Sequence, residues 1–390
     1  MPANAPPRIA LLAGEPSGDN LGGALMRALR QKAPGVVFVG IGGPAMQREG
    51  LESWIDMERL SVNGFVDPLL RLPDLLRILL STRDRIIEAG VDCFIGVDFN
   101  FFNLLLERML KQRGVRTVHY VSPTVWAWRR GRIRGIKKST DLMLTLYPFE
   151  TAIYEEHGIA VRFVGHPRAD EIAPQQSGSD RATARHKLGL ADDGPVVAVL
   201  PGSRGSEVKY TGEDFMRAMV LIARRLPAVR FVIPAANDRR RQQIEALVAR
   251  FCSSLAVTIV NGQSTLAMQA ADVVLVNSGT ATLEAMLLKR PMVMSYRLGP
   301  MTYAVVSRLV QTRWFALPNI LAGEALVPEF IQAAAQPENL ASAVLEYLSH
   351  RDQAGLMARF DAIHRVLRRD AADQAALAVL GLTGHVASLS

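Results

Sequence analysis

A chain of 390 residues is longer than one ordinary domain and, at roughly 150 residues per domain, predicts two or three, with two as the working count. Its 49% hydrophobic and 21% charged residues exclude disorder and fibrous repeats, and only two cysteines, Cys93 and Cys252, exclude a disulfide framework or a multi-thiolate metal site. A net charge of +8, from 45 Lys and Arg against 37 Asp and Glu, favours an anionic partner without choosing among nucleic acid, phosphorylated substrate and acidic membrane.

The opening Met-Pro-Ala-Asn-Ala-Pro-Pro carries no signal-peptide core, and no apolar run reaches the roughly 18 residues of a membrane span, so the expected location is cytoplasmic. Short β-branched runs at residues 8–13, 36–39, 93–97, 116–121 and 141–146 alternate with helical patterns. After a polar stretch at 174–179 the alternation restarts, with runs at 196–200, 230–233, 256–260, 272–276 and 291–295, and a largely helical tail follows. This grammar predicts an α/β fold of two Rossmann-like domains facing a cleft, residues 1–172 and 181–360, with a helical tail, 361–390, packing back toward the first. Ligands of open α/β sheets sit beyond the carboxyl ends of the strands, and the chemistry is sought there.

The first run leads into Gly14-Glu15-Pro16-Ser17-Gly18-Asp19 and an amphipathic helix. Such a turn suits an anion at the helix start, with Ser17 or Asp19 able to cap, or is simply a glycine-bearing βα turn. The segment 69–80 is apolar over most of a helix surface. It is either core or a membrane or acyl contact through Leu69, Leu70, Leu72, Leu75, Leu76 and Leu79. Asp98 ends a buried run before Phe99-Asn100-Phe101-Phe102-Asn103, as a helix cap or as a base whose pKa the aromatic neighbours would raise. Aromatic and basic residues mix over 120–138, yet no RNA-binding or helix-turn-helix signature accompanies them, so a phosphorylated ligand is favoured over nucleic acid. The seven histidines lack paired metal spacing and no Asp-x-Asp ends a strand, so no metal site is expected.

In the second half, Leu200-Pro201-Gly202-Ser203-Arg204-Gly205-Ser206-Glu207 offers two glycines for close backbone approach and a guanidinium fork for phosphate. Asn277-Ser278-Gly279-Thr280 again turns strand into helix; with a helix starting near Ser278, Thr280 and Glu284 lie four apart on one face, one near an anion and the other near a ribose. Two phosphate-suited loops in one half predict a bound nucleotide diphosphate.

Gly14-Glu15-Pro16-Ser17-Gly18-Asp19, Tyr120-Val121-Ser122-Pro123, Leu200-Pro201-Gly202-Ser203-Arg204-Gly205, Ser278-Gly279-Thr280 with Glu284, and Leu317-Pro318-Asn319 together resemble the lipid-A-disaccharide synthase family, in order and over almost the whole chain. The resemblance implies the GT-B glycosyltransferase fold. It also implies a peripheral enzyme at the cytosolic face of the inner membrane that joins UDP-2,3-diacylglucosamine to 2,3-diacylglucosamine 1-phosphate (lipid X) with inversion, releasing UDP, without metal or further cofactor. By that resemblance, Gly202, Ser203, Arg204, Ser278, Gly279, Thr280, Glu284 and Asn319 bind the UDP donor. Glu15, Ser17, Gly18, Asp19 and Ser122 bind the acceptor, and Asp98 and Arg204 are catalytic. The family usually reads Ala-Pro-Asp-Phe-Asn after the strand-end aspartate, whereas Phe101 stands here at the second carboxylate position. A non-hydrolysing UDP-sugar 2-epimerase and a non-enzymatic, membrane-docked nucleotide-binding regulator are the rival readings, and a homodimer is left open.

Overall fold

The computed structural model describes residues 6–60, 68–126, 130–174, 178–191, 193–309, 312–349 and 353–385. The chain divides into two compact units, Met1–Asp170 with Leu367–Ser390, and Glu171–Val366.

The first unit is built on a parallel sheet of β1 (Arg8–Ala13), β2 (Val37–Ile41), β3 (Glu52–Ser53), β4 (Cys93–Val97), β5 (Arg116–Tyr120), β6 (Leu142–Thr145) and β7 (Ala160–Phe163), in the order β3-β2-β1-β4-β5-β6-β7. Ile9 to Ala13 and Cys93 to Val97 are fully buried because helices cover both faces, which is why these strands read as continuous apolar runs rather than alternating ones. The second unit repeats the plan with β8 (Val196–Leu200), β9 (Arg230–Ala235), β10 (Val257–Asn261), β11 (Val273–Asn277), β12 (Met292–Tyr296) and β13 (Glu329–Ile331), ordered β10-β9-β8-β11-β12-β13.

Both orders reverse direction once. In the first unit the chain steps outward from β1 to β3 and returns to β4; in the second it steps from β8 to β10 and returns to β11. Helices leaving β1 and β4, or β8 and β11, therefore diverge to opposite faces and open a crevice at the switch point. That topology brings Gly14–Asp19 beside Asp98, and Gly202–Arg204 beside Asn277–Thr280, from stretches far apart in sequence.

The expected boundary at 360/361 falls inside a helix, Ala354–Leu367, whose Phe360 is fully buried; the chain returns to the first unit only at Leu367. There the Asp170 carboxylate accepts from the backbone N–H of Arg369, Asp370 and Ala371 at 3.0, 3.0 and 2.7 Å. Helix Ala371–Thr383 then lays Ala375, Ala376, Val379 and Leu380 into the first unit's core against helix Pro16–Lys32. Strands β3, β7 and β13 have no counterpart among the expected runs. Each is a short strand at a sheet edge without a fully buried residue, so none carries the apolar run that marks a central strand.

Candidate functional site

In the first unit Ser17 and Asp98 meet, the Ser17 hydroxyl donating to Asp98 Oδ2 at 2.8 Å. Small residues permit this approach. A Cβ on Gly14 would lie 2.6 Å from the Phe99 ring, and one on Gly18 3.0 Å from the Val97 carbonyl and 3.6 Å from Asp98 Cβ. Asp98 has φ +43 and Val121, closing the neighbouring strand, φ +84. Two left-handed non-glycine residues at adjacent strand ends are the kind of local strain that collects at working sites. Helix Asn100–Lys111 starts behind Phe99 with no side-chain cap, so the Asp98 carboxylate is not that helix's cap; it faces Ser17.

A further set of polar groups that the sequence did not flag joins β5 to helix Asn100–Lys111. His119 Nδ1 lies 2.7 Å from Glu107 Oε1 and its Nε2 3.0 Å from Asn100 Oδ1, with His119 and Glu107 wholly buried. Burial raises the Glu107 carboxyl above its ordinary range, and His119 opposes that rise.

Other expected acceptor residues are placed differently. Asp19 is buried, and its carboxylate accepts from the N–H of Gly43, Ala45 and Met46 at 2.9, 2.8 and 3.0 Å, so it caps the neighbouring helix Pro44–Arg48. Glu15 is exposed at the start of helix Pro16–Lys32 and makes no side-chain cap bond. Ser122 turns inward: its buried hydroxyl lies 2.7 Å from Tyr154 Oη and next to Glu150, whose carboxyl burial pushes up to about 7. Phe101 presents a ring that is 84% exposed. Trp126 packs edge-on to Phe149 at 4.8 Å, an engagement within the protein rather than an open stacking platform.

The apolar segment forms helix Pro68–Glu88, and its phase corrects the expectation. Leu79 is core with Ile78, and Leu75 packs against that core, while Leu72, Leu76 and Leu80 are exposed at intervals of four. The side chains of Leu69 and Leu70 lie outside the described residues. Among the described residues no helix is long and apolar enough to cross a membrane, and no group of three or more His, Cys, Asp or Glu could hold a metal ion.

In the second unit a cavity of about 420 Å³ opens at the switch point, walled by Gly202, Ser203 and Arg204, by Asn277 through Ala281 and Glu284, and by Ala235, Ala236, Gly262 and Ser264. Gly202 has φ +132, and a Cβ there would strike Glu207 Cβ at 2.4 Å. Glu207 holds the loop, accepting from the N–H of Ser203 and Arg204 at 2.9 and 3.0 Å; a glutamate three residues after a helix start was the available signal for it. Arg204 pairs with Glu207 at 3.3 Å while 80% of its side chain stays in solvent. Helix Thr280–Leu287 begins two residues later than expected, behind Gly279 at φ +147, a conformation reserved for glycine. Glu284 Oε1 accepts from the Thr265 hydroxyl, which fixes the carboxylate in the wall. Asn319 does not reach this wall. It is fully buried, its Nδ2 donating to Val327 O and Glu329 Oε1 and its Oδ1 accepting from Leu326 and Val327 N–H, all at 2.8–2.9 Å, so every polar position is filled by protein. A guanidinium, helix-start N–H groups and an anchored carboxylate make a site for an anion carrying hydroxyl groups.

Two parallel Rossmann-like sheets, each with its crevice at the switch point, define the class of GT-B glycosyltransferases. The fold is shared with a glycosyltransferase from Rickettsia africae (TM-score 0.62, 12% identity, covering 99% of this chain and 100% of that one). It is also shared with Anabaena HepE in complex with UDP and glucose (TM-score 0.56, 15% identity, 96% and 99%) and with UDP-GlcNAc 2-epimerase from Neisseria meningitidis bound to UDP-GlcNAc (TM-score 0.62, 12% identity, 96% and 98%). Residues 9–379 match the family model for lipid-A-disaccharide synthetase. Lipid-A-disaccharide synthase of Pseudomonas syringae pv. tomato is 50% identical over 390 residues, 99% of this chain and all of that one; that of Pseudomonas fluorescens is 52% identical over 381 residues, 97% and 98%. The chain belongs to the lipid-A-disaccharide synthase family and is a glycosyltransferase of lipid A biosynthesis. Identity of about one half over the full length does not favour the epimerase or the regulator.

Proposed function

We propose that the chain condenses UDP-2,3-diacylglucosamine with 2,3-diacylglucosamine 1-phosphate to give lipid A disaccharide 1-phosphate and UDP, with inversion at the anomeric carbon. The acceptor 6-hydroxyl oxygen attacks that carbon, its proton passes to Asp98, and the bond to the UDP oxygen breaks. Ser17 holds the carboxylate by its 2.8 Å hydrogen bond. Gly14 and Gly18 let the first loop lie against Asp98, where Glu15 borders the acceptor.

The second-unit cavity takes the UDP moiety, with Gly202, Ser203 and Ser278 giving close backbone approach, Gly279 and Thr280 the helix-start N–H groups, Glu284 accepting from the ribose, and Arg204 meeting the charge that develops on the leaving diphosphate. Those fixed donors carry the leaving-group stabilisation in this reading, with no step assigned to a metal ion. Asn319 acts at one remove, by bracing the segment Leu326–Glu329. The exposed Leu72, Leu76 and Leu80 stripe suits the acyl region of a bilayer surface, which would hold the enzyme at the inner membrane where both substrates lie.

The observation that carries the reading is the Ser17–Asp98 pair, a carboxylate oriented by a hydroxyl at a strained strand end and engaged in no helix cap. Purified protein given both substrates is expected to yield disaccharide 1-phosphate and UDP in equal amounts. An epimerised UDP-sugar, or no product from folded protein, would contradict it.

A further inference from the structure

Asn277 ends β11 in the floor of the second-unit cavity, and it is only 4% exposed. Neither its Nδ2 nor its Oδ1 has a hydrogen-bond partner. Ser295, its register partner on β12, is equally buried, and its hydroxyl is also unpartnered. Parallel strands in register point such side chains to the same face, so two polar groups without partners lie side by side. Buried polar atoms cost free energy until they are paired, and native proteins hold few of them without a reason.

Asn277 lines the cavity beside Gly202, where a Cβ would come 3.2 Å from Asn277 Nδ2 and 2.4 Å from Glu207 Cβ, so only glycine lets the β8 loop close this tightly over the amide. Sheet order indicates which part of a nucleotide lies there. The cavity spans the ends of β9 and β10, at Ala235 and Gly262, and the ends of β8 and β11, at Gly202 and Asn277. Glu284, the ribose acceptor, is tied to Thr265 in the helix following β10, which sets the nucleoside on the β9–β10 side. The phosphates then extend over β8 and β11, the terminal one farthest from the base.

We propose that Asn277 is a donor-binding residue whose amide N–H donates to an oxygen of the β-phosphate of the bound nucleoside diphosphate. This rests on the reading that the cavity holds UDP. A hydrogen bond to a charged oxygen is stronger than one between neutral groups, and removing it weakens binding of the ligand that carries that oxygen alone.

Calorimetric titration of the full chain with UDP and with UMP, which lacks the β-phosphate, tests the assignment. In Asn277→Ala the UDP affinity is expected to fall about tenfold or more while that for UMP stays within about twofold. Asn277→Asp, which sets a carboxylate against phosphate, should lose more UDP affinity than the alanine variant. Deleting an unpartnered amide should leave melting of the unliganded protein no lower than the parent's; if Asn277→Ala does not fold, Asn277→Ser replaces it. Equal loss of UDP and UMP, or unchanged UDP affinity, overturns the role of Asn277 while the parent still binds UDP. A parent chain that binds neither nucleotide overturns the UDP reading together with it.

Discussion

Asp98 adopts φ +43 because its backbone and side chain answer to different neighbours: its N–H continues the ladder to Tyr120 O at 3.0 Å, while its carboxylate turns to Ser17. Aspartate tolerates that region better than most residues, at a cost of about 1–3 kcal/mol that the surrounding sheet must offset. Ser17→Ala removes the orienting bond but not the base, so turnover should fall less than on loss of the carboxylate, with UDP affinity unchanged; a loss as large as that of an Asp98 variant would mean that Ser17 itself carries chemistry. Arg204→Ala removes an exposed guanidinium that braces no core. Turnover should fall by about 2.7 to 4 kcal/mol in barrier if it resembles loss of an oxyanion donor, with melting unchanged, and parent-like turnover would exclude the role. Asp98 and Arg204 drew notice in the sequence as charges following apolar strands, and Glu284 by its helical spacing from Thr280. The Ser17–Asp98 pairing was not legible, since 81 residues separate the partners. The intramolecular bonds of Asp19, Ser122 and Asn319 were not legible either, because an acid, a hydroxyl and an amide serve a ligand and a buried backbone equally well, and burial does not follow from residue type.

For helix Pro68–Glu88 the period was readable and the phase was not. A helix that is apolar nearly all round leaves its inner face to be chosen by what it packs on, here the cluster of Ala10, Leu12, Phe94 and Leu106. Two substitution sets separate the faces. Changing Leu72, Leu76 and Leu80 to serine should leave melting nearly unchanged and lower sedimentation with anionic vesicles. Leu79→Ala should cost about 2–5 kcal/mol of stability with vesicle binding intact. Reversed outcomes would mean that the exposed leucine stripe is not the vesicle-binding face. Short edge strands evade reading for a related reason: β7 and β13 are paired on one side only, and their residues need not be uniformly apolar.

At the scale of the molecule, the two switch points follow from the βαβ grammar, and both candidate sites were legible as strand-end loops because the topology fixes where ligands sit. The return of the chain at Leu367 was less so, as helices precede and follow it with only a short connection between them. Two buried titratable groups in the first unit oppose one another in pH. Burial, with Arg168 adding to it, lowers His166 to about 4; unfolding lets it take a proton, so its contribution is full above its ordinary 6.5 and declines as pH falls toward 4. Burial raises Glu150 to about 7 from an ordinary 4.5, so its contribution is full below 4.5 and declines as pH rises to 7. Glu150→Gln abolishes the second slope and leaves the first. Its melting temperature relative to the parent should therefore be higher at pH 8 than at pH 5; a difference independent of pH would show that Glu150 ionises normally in the fold.

Single-turnover synthesis of disaccharide 1-phosphate by the parent and by Asp98→Asn, with UDP titration and melting curves alongside, tests the central claim most directly. Asparagine keeps the shape and can still accept from Ser17, but it cannot take the acceptor proton. The account predicts a rate lower by on the order of 10²- to 10⁴-fold, with UDP affinity and melting close to the parent's. A folded Asp98→Asn protein that forms disaccharide within a few-fold of the parent rate would contradict it.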